Sequence, residues 1–260
     1  TTIMRPLLAS TLLLMILNSR DVFALQLNIH MPLQKVNNSW SFDLCPYSAA
    51  LEANLALREN SDSEQLNFFE THTPHVTLFL TEFDVDDENQ TTMIDEIAAV
   101  VEEVVSNNQH LMCQVEWPQQ PAAHVAGTYA MYALPHNDCL QQLSNDIVRA
   151  LQPYVKRPQA IPDWIYNLPL VAQWRKIWYI KKYGSPNVFG DYAPHVTVGY
   201  DEDAAPDERK QVLKERLPQE YRLHCQGLLT TVAVGRVGPG GSVLQDGQVR
   251  SIRLNEPATS

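Results

Sequence analysis

The sequence predicts an α+β protein: a duplicated α/β unit folded as one bilobal domain, with two antiparallel-rich sheets and a central cleft. Three observations carry this. Strand-like runs alternate with helix-like periodicity in the order strand, helix, strand, helix, strand, and that order occurs twice. The tetrapeptide Pro-His-Val-Thr stands at 74–77 and again at 194–197, each time opening an apolar run, HVTLFL or HVTVGY. Both copies fall in the second strand of their half. A repeated tetrapeptide alone would carry little weight. Its recurrence at equivalent places points to internal duplication, with the equivalent strands meeting about a pseudo-twofold axis.

The elements follow in order. LQLNIHMPL (25–33) is a strand. A helix is expected over 45–59, with apolar Leu51, Leu55 and Ala56 after the start signal Pro46. The first His-x-Thr strand covers 75–80. Residues 92–105 form an amphipathic helix opened by acidic residues, and a strand follows near 111–117. After a Pro-rich connection the second half begins with the strand TYAMYAL (128–134). A helix over 139–151 places Leu140, Leu143, Ile147 and Leu151 on one face. A long insertion (152–193) precedes the second His-x-Thr strand. A charged helix near 207–216 and strands near 222–236 and 243–253 complete the lobe. The lobes are thus roughly 25–120 and 121–260.

The N-terminus bears on compartment. Met4 and Arg5 precede an apolar run from Leu7 to Leu17, and Val22-Phe23-Ala24 suits cleavage, so 1–24 has the form of a secretory signal peptide. The run is too short to span a bilayer; a buried N-terminal helix is the alternative reading. Sequons at Asn37-Asn38-Ser39 and Asn89-Gln90-Thr91 agree with export to the secretory lumen or beyond. Cys45, Cys113, Cys139 and Cys225 allow two disulfides in any of three pairings, or four buried thiols. No cysteine or histidine spacing suggests zinc, and neither a metal nor an organic cofactor is expected.

Charge limits the partners. The chain has 19 Lys and Arg against 30 Asp and Glu. Long nucleic acid demands a positive surface, so it is not an expected partner, whereas a small phosphorylated ligand needs only local positive charge. No membrane span and no oligomer are expected.

Side chains two apart on a strand share a face. His75 and Thr77 therefore point one way, as do His195 and Thr197, and side-by-side strands would present two imidazoles and two hydroxyls to one cleft. Cleaving a phosphodiester needs a base for the attacking oxygen, an acid for the departing one, and donors for the non-bridging oxygens. Imidazoles suit the first two tasks near neutral pH, and threonine hydroxyls suit the third.

The twice-repeated His-x-Thr-hydrophobic motif, with Leu78 and Val198 in the last place, resembles the two-histidine (2H) phosphoesterase superfamily. That group includes RNA ligase-like proteins and cyclic nucleotide phosphodiesterases. The resemblance covers most of the chain in element order and is specific in residues around 74–80 and 194–200. It implies metal-independent catalysis in which His75 and His195 act as acid and base and Thr77 and Thr197 hold the phosphate. The expected substrate is a nucleotide or short oligonucleotide carrying a 2′,3′-cyclic phosphate or a 2′-5′ linkage. Two other readings fit: an RNA 3′-end-trimming exonuclease, or a secreted nucleotide-binding protein without turnover.

Specificity is sought in the insertion. QWRKIWYIKKY (173–183) interleaves cations with aromatics and has no acid before Asp191, a pattern suited to a phosphate and a stacked base. The alternative is a basic helix with tryptophans packed in the core. Lys182, Tyr183 and Tyr192 of this region, and Tyr129 on the first strand of the second half, are candidate substrate-binding residues. The six other histidines, His30 among them, have no repeated partner and are assigned ordinary structural roles.

Overall fold

A computed structural model describes residues 23–33, 45–59, 68–85, 89–111, 113–116, 123–126, 128–201, 225–238 and 241–254, with 207, 209, 211 and 212. The strands among the described residues are β1 (Phe23–Pro32), β2 (His75–Val85), β3 (Cys113–Glu116), β4 (Ala123–Ala126), β5 (Tyr129–Ala133), β6 (His195–Tyr200), β7 (Gln226–Leu229), β8 (Thr231–Val237) and β9 (Val243–Arg253). The α-helices that can be bounded among the described residues are α1 (Cys45–Arg58), α2 (Phe68–Thr71), α3 (Gln90–Asn107), α4 (Asp138–Leu151) and α5 (Leu170–Tyr183). Seven strands form one sheet in the order β4-β5-β6-β2-β1-β8-β9, and β3 pairs with β7 in a second, smaller one. The pairings are antiparallel. The α+β class with two antiparallel sheets is thus the observed one. The two His-x-Thr strands, β2 and β6, are neighbours at the centre of the larger sheet.

A pseudo-twofold relation is visible in the hydrogen bonds. The two strands pair at Val76↔Val196, so the repeated valines sit on the axis. Each strand then bulges at the residue after its threonine. β1 pairs with β2 at His30↔Thr77 and Ile29↔Phe79, which leaves Leu78 extra; β5 pairs with β6 at Met131↔Thr197 and Ala130↔Gly199, which leaves Val198 extra. A bulge takes one residue out of the ladder and reverses which side chains face each way beyond it. The carbonyls of both bulged residues are taken by helices of the opposite half. Ser144 Oγ on α4 donates to Leu78 O at 2.7 Å, and Asn54 Nδ2 on α1 donates to Val198 O at 2.8 Å. The helices therefore cross over, α1 packing on β6 and α4 on β2.

The helix-bearing side holds the core: Leu27, Ile29, Met31, Val76, Leu78, Tyr132, Val196 and Val198 are fully buried. Because Ser144 is buried in that layer, Ser144→Ala strands a carbonyl without a partner. We expect it to destabilise the fold by about 1–3 kcal/mol, read as a lower urea midpoint at unchanged m-value. An unchanged midpoint would mean that the bulge carbonyl is satisfied otherwise. Asn137 caps α4 through Leu140 N at 3.0 Å, and Cys139 in its first turn is disulfide-bonded to Cys113 of β3. Cys225 is disulfide-bonded as well. The bridge fits an oxidising compartment.

The main departures from the sequence reading are two. β2 runs on to Val85, since Glu82 and Asp84 take the outward face while Phe83 and Val85 stay buried. β4 lies hidden in the Pro-rich connection, because a four-residue edge strand paired on one side needs little apolar pattern. Residues 1–22, the sequon at Asn37 and most of the charged helix near 207–216 lie outside the described residues. Asn89 is exposed at the start of α3. Among the described residues no helix is long and apolar enough to cross a membrane.

Candidate active site

Both histidines are oriented by the same local device. His75 Nδ1 lies 2.6 Å from the carbonyl of Thr73, and His195 Nδ1 lies 2.9 Å from that of Ala193, in each case two residues back along the chain. A carbonyl only accepts, so Nδ1 carries the proton and each neutral ring keeps its lone pair on Nε2. The strand entries are held alike too: Leu33 N donates to Pro74 O at 2.8 Å, and Leu134 N donates to Pro194 O at 2.9 Å. Antiparallel pairing about Val76 and Val196 places Thr197 across from His75 and Thr77 across from His195. The sheet thus brings all four repeated residues to one patch, on the side opposite the helix-packed valines.

The two halves of the patch differ in what lies beneath. Asn28 and His30, polar residues alternating with the apolar side of β1, are both fully buried there. Asn28 Nδ2 lies 3.2 Å from His75 Nε2 and donates to Thr77 Oγ1 at 3.1 Å. His30 meets His75 edge-on, with ring centroids 4.9 Å apart, and its own Nδ1 donates to Asn28 O at 3.0 Å. Room for the His30 ring comes from Gly235 on β8, where a Cβ would stand 2.9 Å from His30 Cε1. Asn28 Oδ1 and His30 Nε2 have no hydrogen-bond partner among the described residues.

Burial sets the protonation of this half. Desolvation pulls the His30 pKa down from 6.5 to about 4. His75 falls to about 3, chiefly through burial, then through the charge of His30, with His195 and His72 adding to the effect. His75 is therefore neutral at any ordinary pH. His195 is half-buried and meets solvent.

Register locates Tyr129. It pairs with Tyr200, three residues beyond Thr197, as Asn28 pairs with Leu80, three beyond Thr77. Tyr129 thus occupies the place by His195 and Thr197 that Asn28 occupies by His75 and Thr77, and its ring packs on Tyr200 at 5.1 Å. Tyr192 reaches the junction of the central strands differently. Its phenol donates to Thr77 O at 3.0 Å, and burial pushes its pKa up. It satisfies a carbonyl where β2 and β6 diverge. Tyr192→Phe should accordingly lower stability by about 1–3 kcal/mol, measured by urea titration. A raised KM at unchanged stability would instead give the phenol to the substrate.

Lys182 and Tyr183 are placed elsewhere. Lys182 Nζ lies over the rings of Trp178 and Tyr183, at 4.7 and 5.0 Å, and Tyr183 packs on Phe189 at 4.6 Å. The carbonyl of Lys182 accepts from Gln152 and Arg157, and that of Gly184 accepts from Thr81 Oγ1. Thr81 lies beyond the Leu78 bulge and pairs with core Leu27, so these contacts are on the helix side of the sheet, away from His75. Half the charge of the basic segment is spent nearby: Arg175 and Lys176 both bind Asp191, at 2.8 and 3.2 Å.

Asn28 and His30 are the residues that motif reasoning passed over. Their signal was the alternation in LQLNIHMPL, where two polar residues share the face opposite Leu27, Ile29 and Met31. Among the described residues no group of three His, Cys, Asp or Glu is arranged to hold a metal ion. No curated protein matches the chain. A family model described as the 2′-5′ RNA ligase superfamily matches residues 46–234, a span that includes both His-x-Thr strands and well over half of the chain. With two oriented imidazoles on adjacent equivalent strands, the chain belongs to the 2′-5′ RNA ligase superfamily, that is, to the two-histidine phosphoesterases.

Proposed function

We propose that this protein is a metal-independent phosphodiesterase that opens a 2′,3′-cyclic phosphate or cleaves a 2′-5′ linkage in a nucleotide or short oligonucleotide. The observation that carries the reading is the matched orientation of two chemically unequal histidines, each with Nδ1–H tied to a backbone carbonyl and its lone pair on Nε2, which in His75 accepts from Asn28 Nδ2 at 3.2 Å. His75, kept neutral by burial, is the base. Its Nε2 takes a proton from the attacking water as the new P–O bond forms. His195, open to solvent, is the acid, and its Nε2–H protonates the ribose oxygen as that P–O bond breaks. The hydroxyl of Thr77 accepts from Asn28, so its own hydrogen is left to donate to a non-bridging oxygen. Thr197 does the same from the other strand, and Tyr129 faces the base or ribose.

The acidic balance of the chain favours a small substrate over structured RNA. The disulfide and the leader-like N-terminus support work in the secretory lumen or outside the cell. The test is turnover of 2′,3′-cyclic mononucleotides and of 2′-5′ and 3′-5′ dinucleotides in excess EDTA. Cleavage of a cyclic or 2′-5′ substrate that survives chelation is the expected result. Loss of all turnover on chelation, or removal of nucleotides only from the 3′ end of longer RNA, would overturn it.

A further inference from the structure

The insertion helix exposes what a folded protein normally hides. Six of the eight exposed large hydrophobic side chains among the described residues lie within 164–178: Trp164, Tyr166, Leu170, Val171, Trp174 and Trp178. Val171, Trp174 and Leu170 are 79%, 72% and 71% exposed, and of the fourteen residues of α5 only Ile180 is buried. The exposed residues do not scatter. Positions 171, 174 and 178 follow helical spacing along one stripe, which continues to Lys181 and Lys182 in the last turn before Gly184 ends the helix. The turn at 163–167, which carries Trp164 and Tyr166, packs beside the helix. Contiguous apolar surface of this kind marks an interaction site.

Charge identifies the occupant. No Asp or Glu lies between Asp163 and Asp191, in a chain whose formal charge is −11. Arg175 and Lys176 are neutralised by Asp191, whereas Lys181 and Lys182 make no ion pair among the described residues. Tryptophan and aliphatic side chains with lysines at one end of the same stripe match the interface of an anionic bilayer: the rings sit at headgroup level, and the ammonium groups meet lipid phosphates and carboxylates. A second copy related by a twofold axis would press the same lysines against each other. A nucleic acid would use the cations and rings but has no use for Leu170 and Val171. The C-terminal end of α5 is tied to the helix side of the sheet through the carbonyls of Lys182 and Gly184, away from His75. We propose that α5 and the turn before it dock the protein on an anionic lipid surface, a role beyond catalysis.

The purified protein is sedimented with vesicles of phosphatidylcholine containing phosphatidylserine, and with pure phosphatidylcholine vesicles. Binding to the anionic vesicles with a blue shift of tryptophan emission is expected, and weaker binding to the neutral ones. Val171→Glu and Trp174→Glu should each reduce the bound fraction about tenfold or more, and Lys181→Glu about fivefold. The unfolding temperatures should stay at the wild-type value, because these side chains are exposed. Absence of vesicle binding by the wild type overturns the proposal, as does equal binding by Val171→Glu. So does a light-scattering dimer that Val171→Glu dissociates, without vesicle binding, since the stripe would then hold a second copy.

Discussion

Alanine at His75 or at His195 is expected to lower turnover of a 2′,3′-cyclic nucleotide by about 10²–10⁴-fold, with the double variant scarcely worse than either single one. The two losses have different signatures. His195 is half-buried, and its Nδ1 makes a bond to a solvent-exposed carbonyl. Its removal should leave the unfolding midpoint nearly unchanged while the rate collapses. His75 is packed between Asn28 and His30, so His75→Ala opens a hole beside two polar groups and should cost stability as well, by about 1–3 kcal/mol. His75→Gln keeps most of the volume and separates the two effects: stability recovers and turnover does not. If either alanine variant retained more than about a tenth of the wild-type rate while folded, general acid–base catalysis by this pair would be refuted.

Stability should fall steeply as pH drops below about 6.5, and the buried pair His30 and His75 is the cause. Both have folded-state pKa values lowered by burial, to about 4 and about 3. Above 6.5 neither state binds a proton at these rings, and folding is unpenalised. Between 6.5 and the folded values the unfolded chain takes up protons that the native one refuses, so stability is lost as pH falls and the loss levels off only near pH 3 to 4. Taken together the two shifts correspond to a loss of about 8 kcal/mol. Charged and titratable neighbours facing the pair include His195 and His72, whose protonation adds to the repulsion. The check is urea unfolding at several pH values for wild type and His30→Gln. The variant should lose about one proton from the uptake on unfolding near pH 5. An unchanged slope would mean that His30 is not buried in its neutral form. The same shift governs activity: the acid limb of the rate profile should lie far below the ordinary histidine value, since His75 stays a free base.

The repeated motif was legible because it is local. Alternation along a strand is a property of a few consecutive residues, so His75 with Thr77 and His195 with Thr197 could be placed on shared faces from sequence alone. The helices α1, α3 and α4 declared themselves by periodicity for the same reason. Tyr129 was reachable through the duplication, since it stands in its half where Asn28 stands in the first. Asn28 and His30 were not, although their alternation was visible, because nothing in LQLNIHMPL says which strand will lie beside it. In the insertion, the interleaving of rings and cations was plain, but the choice between ligand and core was not. The structure takes Trp174 and Trp178 out of the core: they face outward.

The sequence by itself determined most of the elements, the recurrence of the motif and which of its residues share a strand face, because each depends on short-range pattern and backbone preference. Only the tertiary structure decided that β2 and β6 touch at their valines, that helices of one half close the bulges of the other, and that the two histidines are unequal. Identical tetrapeptides carry no such difference. It arises from desolvation, a sum over neighbours from β1 and β8 that are distant in the chain, and it keeps one imidazole neutral and leaves the other open to water.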